Sequence, residues 1–248
     1  MSISWKQAWQ FLVVIVLLGA GLRLWGISNN SFVADEFLDI NASYGYFQTG
    51  EWRAWDFNYG KPAEINQNDA RDERAAVYKW QVAALFHVLA PTEGNARLVS
   101  VLWGLVSIVI VFWSTLVFTR KKEIGLIAAF LFAVSISAII FDRRLRMYAM
   151  FFPVYLAFAT TLYAFFEVEY QGKIALVRRL WERTRLNVLY LVPLVLLAGL
   201  NASVHGLSLS IIPVFGAYVF FMMITVWLRE KTFRHKYGVT IGLGLFGD

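Results

Sequence analysis

Apolar residues run along this chain in long blocks separated by short polar breaks, and block length decides the reading. Residues 9–27 form the first block, with Arg23 as its one charge. Five more follow at Leu98–Phe118, Ile124–Phe141, Met147–Phe166, Val188–Val204 and Leu207–Leu228. Each approaches the ~20 residues that a helix needs to cross hydrocarbon. A seventh block starts near Gly238 and stops at Asp248, too short to cross. The pattern predicts an all-α integral membrane protein, a multi-span helical bundle. The first block is too long for a signal-peptide core and no small-x-small cleavage site follows it, so it reads as a retained anchor. Arg23, near its end, is expected to snorkel to the interface.

Residues 28–97 separate the first two spans and form the long polar loop. Two stretches inside it have helical spacing. Glu36–Gln48 carries Phe37, Ile40, Tyr44 and Phe47, and Ala75–Ala90 carries Val77, Trp80, Ala84, Leu85 and Val88. Both are too short to span and read as helices lying in the membrane interface, on those apolar rows.

Composition sharpens the class. Hydrophobic residues make up 58% and charged residues 16% of the chain, where a soluble globular protein carries about 25% charged residues. The formal charge of +6 resides in short loops between spans, so it does not point to nucleic acid. Zero cysteines exclude disulfides and thiolate metal sites.

Charge placement predicts sidedness. Arg120-Lys121-Lys122 follows span two. Lys173, Arg178, Arg179, Arg183 and Arg185 follow span four, and Arg229, Lys231, Arg234 and Lys236 follow span six. With alternating spans these loops share one side with the N-terminus and Lys6, and that side is expected to be cytoplasmic. Loop 28–97, with ten acids against six bases, then lies outside.

Three places carry candidate chemistry. The stretch Ser31-Phe32-Val33-Ala34-Asp35-Glu36-Phe37-Leu38-Asp39 sets an acidic pair close to the bilayer, where carboxylates suggest function; the local alternative is that they cap the helix and complement its dipole. Asp142-Arg143-Arg144-Leu145-Arg146 sits on the outer side, against the positive-inside bias. Three guanidinium groups there call for an anion such as a lipid phosphate or pyrophosphate, or for acids of the long loop. His205 closes span five and is placed to touch substrate, orient a carboxylate or ligate a metal. The run Gly242–Gly247 matches a dinucleotide fingerprint in letters but lies in an apolar span with no strand before it.

The order of these features resembles the polyprenyl-phosphate-dependent membrane glycosyltransferases of the GT-C fold, among them protein O-mannosyltransferases and bacterial lipid A aminoarabinose transferases. The resemblance rests on the first span followed by Asp35-Glu36, on Asn95-Ala96-Arg97-Leu98-Val99-Ser100, on Gly125-Leu126-Ile127-Ala128-Ala129, and on Phe141-Asp142-Arg143-Arg144-Leu145-Arg146-Met147-Tyr148-Ala149. Where the family often has a Pro-Pro pair just before the second interfacial helix, this chain has Arg74-Ala75-Ala76-Val77-Tyr78. Members are longer, so 1–248 is expected to be the N-terminal part of a GT-C-like transmembrane domain, with 28–97 its first extracytoplasmic loop.

The resemblance implies an inverting transfer from a polyprenyl-phosphate-linked sugar to a hydroxyl or amine of a lipid, glycan or protein. The site would face the extracytoplasmic side of the cell inner membrane. Asp35 would be the general base, with Glu36 as its neighbour or substrate anchor. Arg143, Arg144 and Arg146, helped by Lys61 or Arg74, would hold the donor phosphate, and Tyr148 and His205 would contact substrate. Some relatives use a divalent cation, but no residue here fixes a site for one. A lipid-linked-sugar flippase and a non-catalytic scaffold stay open; the first would place charges within spans near the midplane.

Overall fold

The structure, a computed structural model, describes residues 3–63, 75–232 and 236–238. Arg74, the seventh apolar block beyond Gly238 and the glycine run at 242–247 lie outside the described residues. The chain divides into two compact units, Met1–Ala157 with Ser203–His205 and Phe158–Ala202 with Gly206–Asp248.

The architecture is that of an all-helical membrane protein. Among the described residues four helices are long and apolar enough to cross a membrane, or up to six if each of two bent pairs is one span. In the first unit α1 (Trp5–Leu24), α4 (Glu93–Thr119) and α5 (Lys122–Val134) pack together. Leu12, Ile15, Ile108, Phe112, Ala129 and Ala133 form their shared core. Small residues let the helices approach, as packing in lipid requires: a Cβ on Gly19 would stand 2.4 Å from Ile108 Cδ1. The outer face of α1, with Phe11, Val14, Leu17 and Leu18, is exposed and fits contact with lipid.

Span three is broken. Helix α5 ends at Val134, and α6 (Ile136–Asp142) leaves at 63°. Ser135 turns the chain and caps α6 through its hydroxyl, which accepts from Ala138 N. The break frees carbonyls at the end of α5, and Arg23 meets one of them. Its Nη1 donates to Ala133 O at 3.0 Å and its Nε to Asp142 Oδ2 at 2.8 Å. The snorkelling expectation is therefore corrected: Arg23 is 0% exposed. A guanidinium buried in apolar surroundings must be paired, and α5 and α6 supply the partners inside the bundle.

The two helices of the long loop form at α2 (Ala34–Thr49) and α3 (Ala76–Phe86). Part of each apolar row faces out, and charged residues face in. Helix α2 buries Glu36, Asp39, Ile40 and Ser43, while Phe37 and Leu38 are exposed. Helix α3 buries Tyr78, Lys79, Val82, Ala83 and Phe86, and leaves Trp80 exposed. The reason is the solvent: beside a bilayer, ionisable groups turn inward to partners and apolar side chains can turn outward. After α2 comes a short hairpin that the apolar pattern did not predict, β1 (Trp55–Asp56) against β2 (Lys61–Pro62). Asp56 Oδ1 accepts from Asn58 N and Tyr59 N, which fixes its turn.

Helix α7 (Tyr148–Glu167) leads into the second unit, which contains α8 (Ala175–Thr184), α9 (Leu191–Val204) up to Ala202, and α10 (Ile211–Glu230). Helix α8 meets the following helical segment, Val188–Val204, at 108°. Phe166, Leu186, Val219 and Tyr237 form the core of this unit. Beside it Glu167 accepts from Tyr218 Oη at 2.9 Å, from Lys236 Nζ at 3.0 Å and from Tyr237 Oη.

Candidate functional site

The acidic pair opens α2, and its two carboxyl groups have opposite fates. Glu36 points into the protein and is 1% exposed. Its Oε1 accepts from Arg97 Nε at 2.8 Å and Leu145 N at 2.7 Å, and its Oε2 from Arg97 Nη2 at 2.8 Å and Val33 N at 3.0 Å. Four acceptances saturate a carboxylate. Burial alone would push its pKa up, but these donors outweigh burial and hold the group below the ordinary glutamate range.

Arg97, in the second turn of α4, is the partner that organises this region. Besides the fork to Glu36, Nη1 donates to Ile27 O at 3.0 Å and Asn30 O at 2.7 Å, and Nη2 to Ser31 O at 3.2 Å. All five guanidinium hydrogens are used. One ion pair therefore joins the α1–α2 connection, α2, α4 and the turn before α7.

That turn, residues 143–147, is the arginine-rich segment. Leu145 anchors it through its N–H and is fully buried. Arg146 Nη1 donates to the backbone carbonyl of Asp35 at 2.7 Å and to Asp39 Oδ2 at 3.3 Å. Lys79 Nζ stands 3.7 Å from Asp39 Oδ1. Arg146 thus ties the turn to the first two turns of α2, and its guanidinium also lies 5.4 Å above the Tyr148 ring. Nearby, Tyr78 Oη and Ser100 Oγ are 2.6 Å apart and buried.

The predicted site residues separate into groups. Asp35, Glu36, Arg146 and Tyr148 are brought together, and the Tyr148 ring lies 5.2 Å from that of His205. Asp35 is exposed, and among the described residues no donor reaches its carboxylate. Arg144 is exposed on the same turn. Arg143 is half-buried, with Nη2 close to Gly26. Lys61 stands on the hairpin, 5.9 Å from the Tyr59 ring centroid. Glu36, expected as a neighbour of the base or a substrate anchor, is buried here with its acceptor positions filled by Arg97, Leu145 N and Val33 N. Sequence reasoning missed Arg97, Asp39 and Lys79 as members of the cluster. The available signal was Arg97 itself, a cation at the mouth of an apolar span that needs a partner.

Next to the cluster, Phe37, Ile40 and Tyr44 of α2 line a cavity of about 250 Å³ with Phe57, Phe86 and Pro91. Glu93 stands in its wall and accepts from Phe32 N at 3.3 Å. Among the described residues no group of three or more His, Asp or Glu side chains is placed to hold a metal ion. Comparison with protein-family models, curated proteins and solved structures gives no match.

Proposed function

We propose that this chain carries the sugar-transfer site of a GT-C-type membrane glycosyltransferase. The donor is a sugar on a polyprenyl phosphate, and the acceptor is a hydroxyl or amine of a lipid, glycan or protein. The observation that carries the reading is the exposed Asp35 carboxylate beside an arginine-bearing turn, in a region whose other acids, Glu36 and Asp39, are already engaged.

The chemistry follows from that division. Displacement at the anomeric carbon forms a bond from the acceptor oxygen or nitrogen and breaks the bond to phosphate oxygen. A base takes the acceptor's proton as the new bond forms, and Asp35 is open to do so. The departing phosphate gathers charge, and Arg144 and Arg143 are the guanidinium groups free of the Asp39 pair to meet it. Arg146, through Asp35 O and Asp39 Oδ2, holds the turn against α2. The aromatic cavity supports a lipid-linked substrate, as a place for an apolar chain next to the charged groups. Helices α2 and α3 then lie at the extracytoplasmic interface.

The test is transfer from radiolabelled polyprenyl-phosphate sugars into a lipid extract by the reconstituted full-length protein. Asp35→Asn should lower turnover by ~10²–10⁴-fold while donor binding and melting temperature hold. Normal turnover in that variant would remove Asp35 from the mechanism. Movement of donor across the bilayer without transfer would favour the flippase.

A further inference from the structure

Helix α8 carries a second interaction surface, unrelated to the sugar-transfer reading. Its residues segregate by position. Leu176, Arg179, Leu180 and Arg183 follow the i, i+3, i+4, i+7 spacing and form one stripe. Leu176 is 66% exposed, as is Ile174 just before the helix at 56%, whereas Val177 on the adjoining face is buried. The helix therefore rests on its own unit through Val177 and leaves Leu176, Arg179 and Arg183 of the stripe uncovered, with Leu180 half-buried between them and the unit. Arg179 and Arg183 are exposed. Arg178 and Arg185 are tied closer in: Arg178 Nη2 donates to Gly172 O at 2.9 Å, and Arg185 lies 4.7 Å over the Trp181 ring. From Arg178 to Arg185 there are four arginines and one acid, Glu182.

The angle gives this stripe its occupant. Val188–Val204 is apolar and leaves α8 at 108°. If that segment crosses the bilayer, α8 lies nearly in the membrane plane. A helix so placed, apolar on one edge and cationic beside it, sinks its leucines among acyl chains and holds its arginines at headgroup depth. Four cations against one anion select negative headgroups.

We propose that α8 is a docking surface for anionic phospholipid, with Arg179 and Arg183 on the headgroup phosphates and Leu176 among the chains. The full chain, reconstituted in vesicles, tests this. Leu176→Cys gives a single labelling site in a chain without cysteine and takes a bimane fluorophore. Brominated phosphatidylglycerol and brominated phosphatidylcholine are then compared as quenchers at equal low mole fraction. Both should quench, phosphatidylglycerol more strongly. Arg179→Gln with Arg183→Gln should reduce that preference by about fivefold or more, while phosphatidylcholine quenching persists as proof that the helix is still folded on the membrane. Lysine at both positions should keep most of the preference, because attraction to an anionic surface depends on charge. Millimolar inorganic phosphate should leave it intact. Absence of quenching by either lipid, equal quenching by both, an unchanged preference in the glutamine variant, or loss of preference to free phosphate would each overturn the proposal.

Discussion

Glu36 and Asp35 are neighbours in sequence, yet only one of them is available to a substrate. The difference is rotation: the third residue of α2 faces Arg97 and the second faces out. A buried pair of this kind is weak evidence for stability as a whole, but removing one partner leaves an uncompensated charge and costs about 3–5 kcal/mol. Glu36→Gln should therefore lower the melting temperature sharply in detergent. Asp35→Asn should change it much less, since Asp35 is exposed and gives up only a first-turn dipole contribution of about 0.3–1 kcal/mol. The pH dependence has a definite sign. The folded-state pKa of Glu36 lies below the ordinary value of 4.5, so in that window the unfolded chain binds the extra proton and stability rises with pH. The contribution is complete above the ordinary glutamate range and is lost as pH falls through the depressed value. Acid titration of the melting temperature should show that loss in the wild-type chain and a shallower one in Glu36→Gln. Equal acid slopes would mean that the fork does not form in the folded protein.

Among the elements, span positions were legible and the inward-facing partners of the loop helices were not. Leu98–Phe118 falls inside α4, and Met147–Phe166 matches α7 to within a residue at each end, because the length of an apolar run is a property of the sequence alone. The apolar rows of α2 and α3 mark residues such as Phe37 and Trp80 but say nothing of the charged residues that fill the inward faces. Here Glu36, Asp39 and Lys79 turn inward while Phe37, Leu38 and Trp80 do not. The break at Ser135 was hidden inside a continuous apolar run. Its consequences can be tested through glycine. A Cβ on Gly104 would stand 2.5 Å from Asp142 Cγ and 2.5 Å from its Oδ2, and Asp142 is held in place by Arg23. Overpacking of this sort costs about 1–3 kcal/mol, so Gly104→Ala should destabilise. Gly19→Ala should cost less, because the atom it meets is the mobile tip of Ile108. Melting temperatures of the two variants in one detergent decide the order. If Gly19→Ala is the more damaging, α6 does not pack against α4 in this register.

For the whole molecule, the pairings that build the site link residues far apart in sequence. Arg97 and Glu36 are separated by 61 positions, and Arg23 and Asp142 by 119. No local pattern encodes such partners; only the general rule that a charge at a span must be paired points toward them. Sidedness, by contrast, is written locally. By the lysine and arginine counts in short loops we propose that the N-terminus, residues 119–123, 167–187 and 229–237 face the cytoplasm and residues 28–97 lie outside. The turn at 142–146 opposes that rule with three arginines. The structure engages Arg146 with Asp39, so at least one of these charges acts inside the protein and is not a free topology signal. The absence of native cysteine allows a direct test. Tyr59 is 76% exposed on the hairpin turn, and Lys121 is exposed between α4 and α5. With an impermeant maleimide, Tyr59→Cys should react in intact cells. Lys121→Cys should react only once the membrane is opened. The reverse pattern would place the α2 cluster in the cytoplasm, where no outer-leaflet donor can reach Asp35. Labelling of both positions in intact cells would mean that α4 does not cross the bilayer.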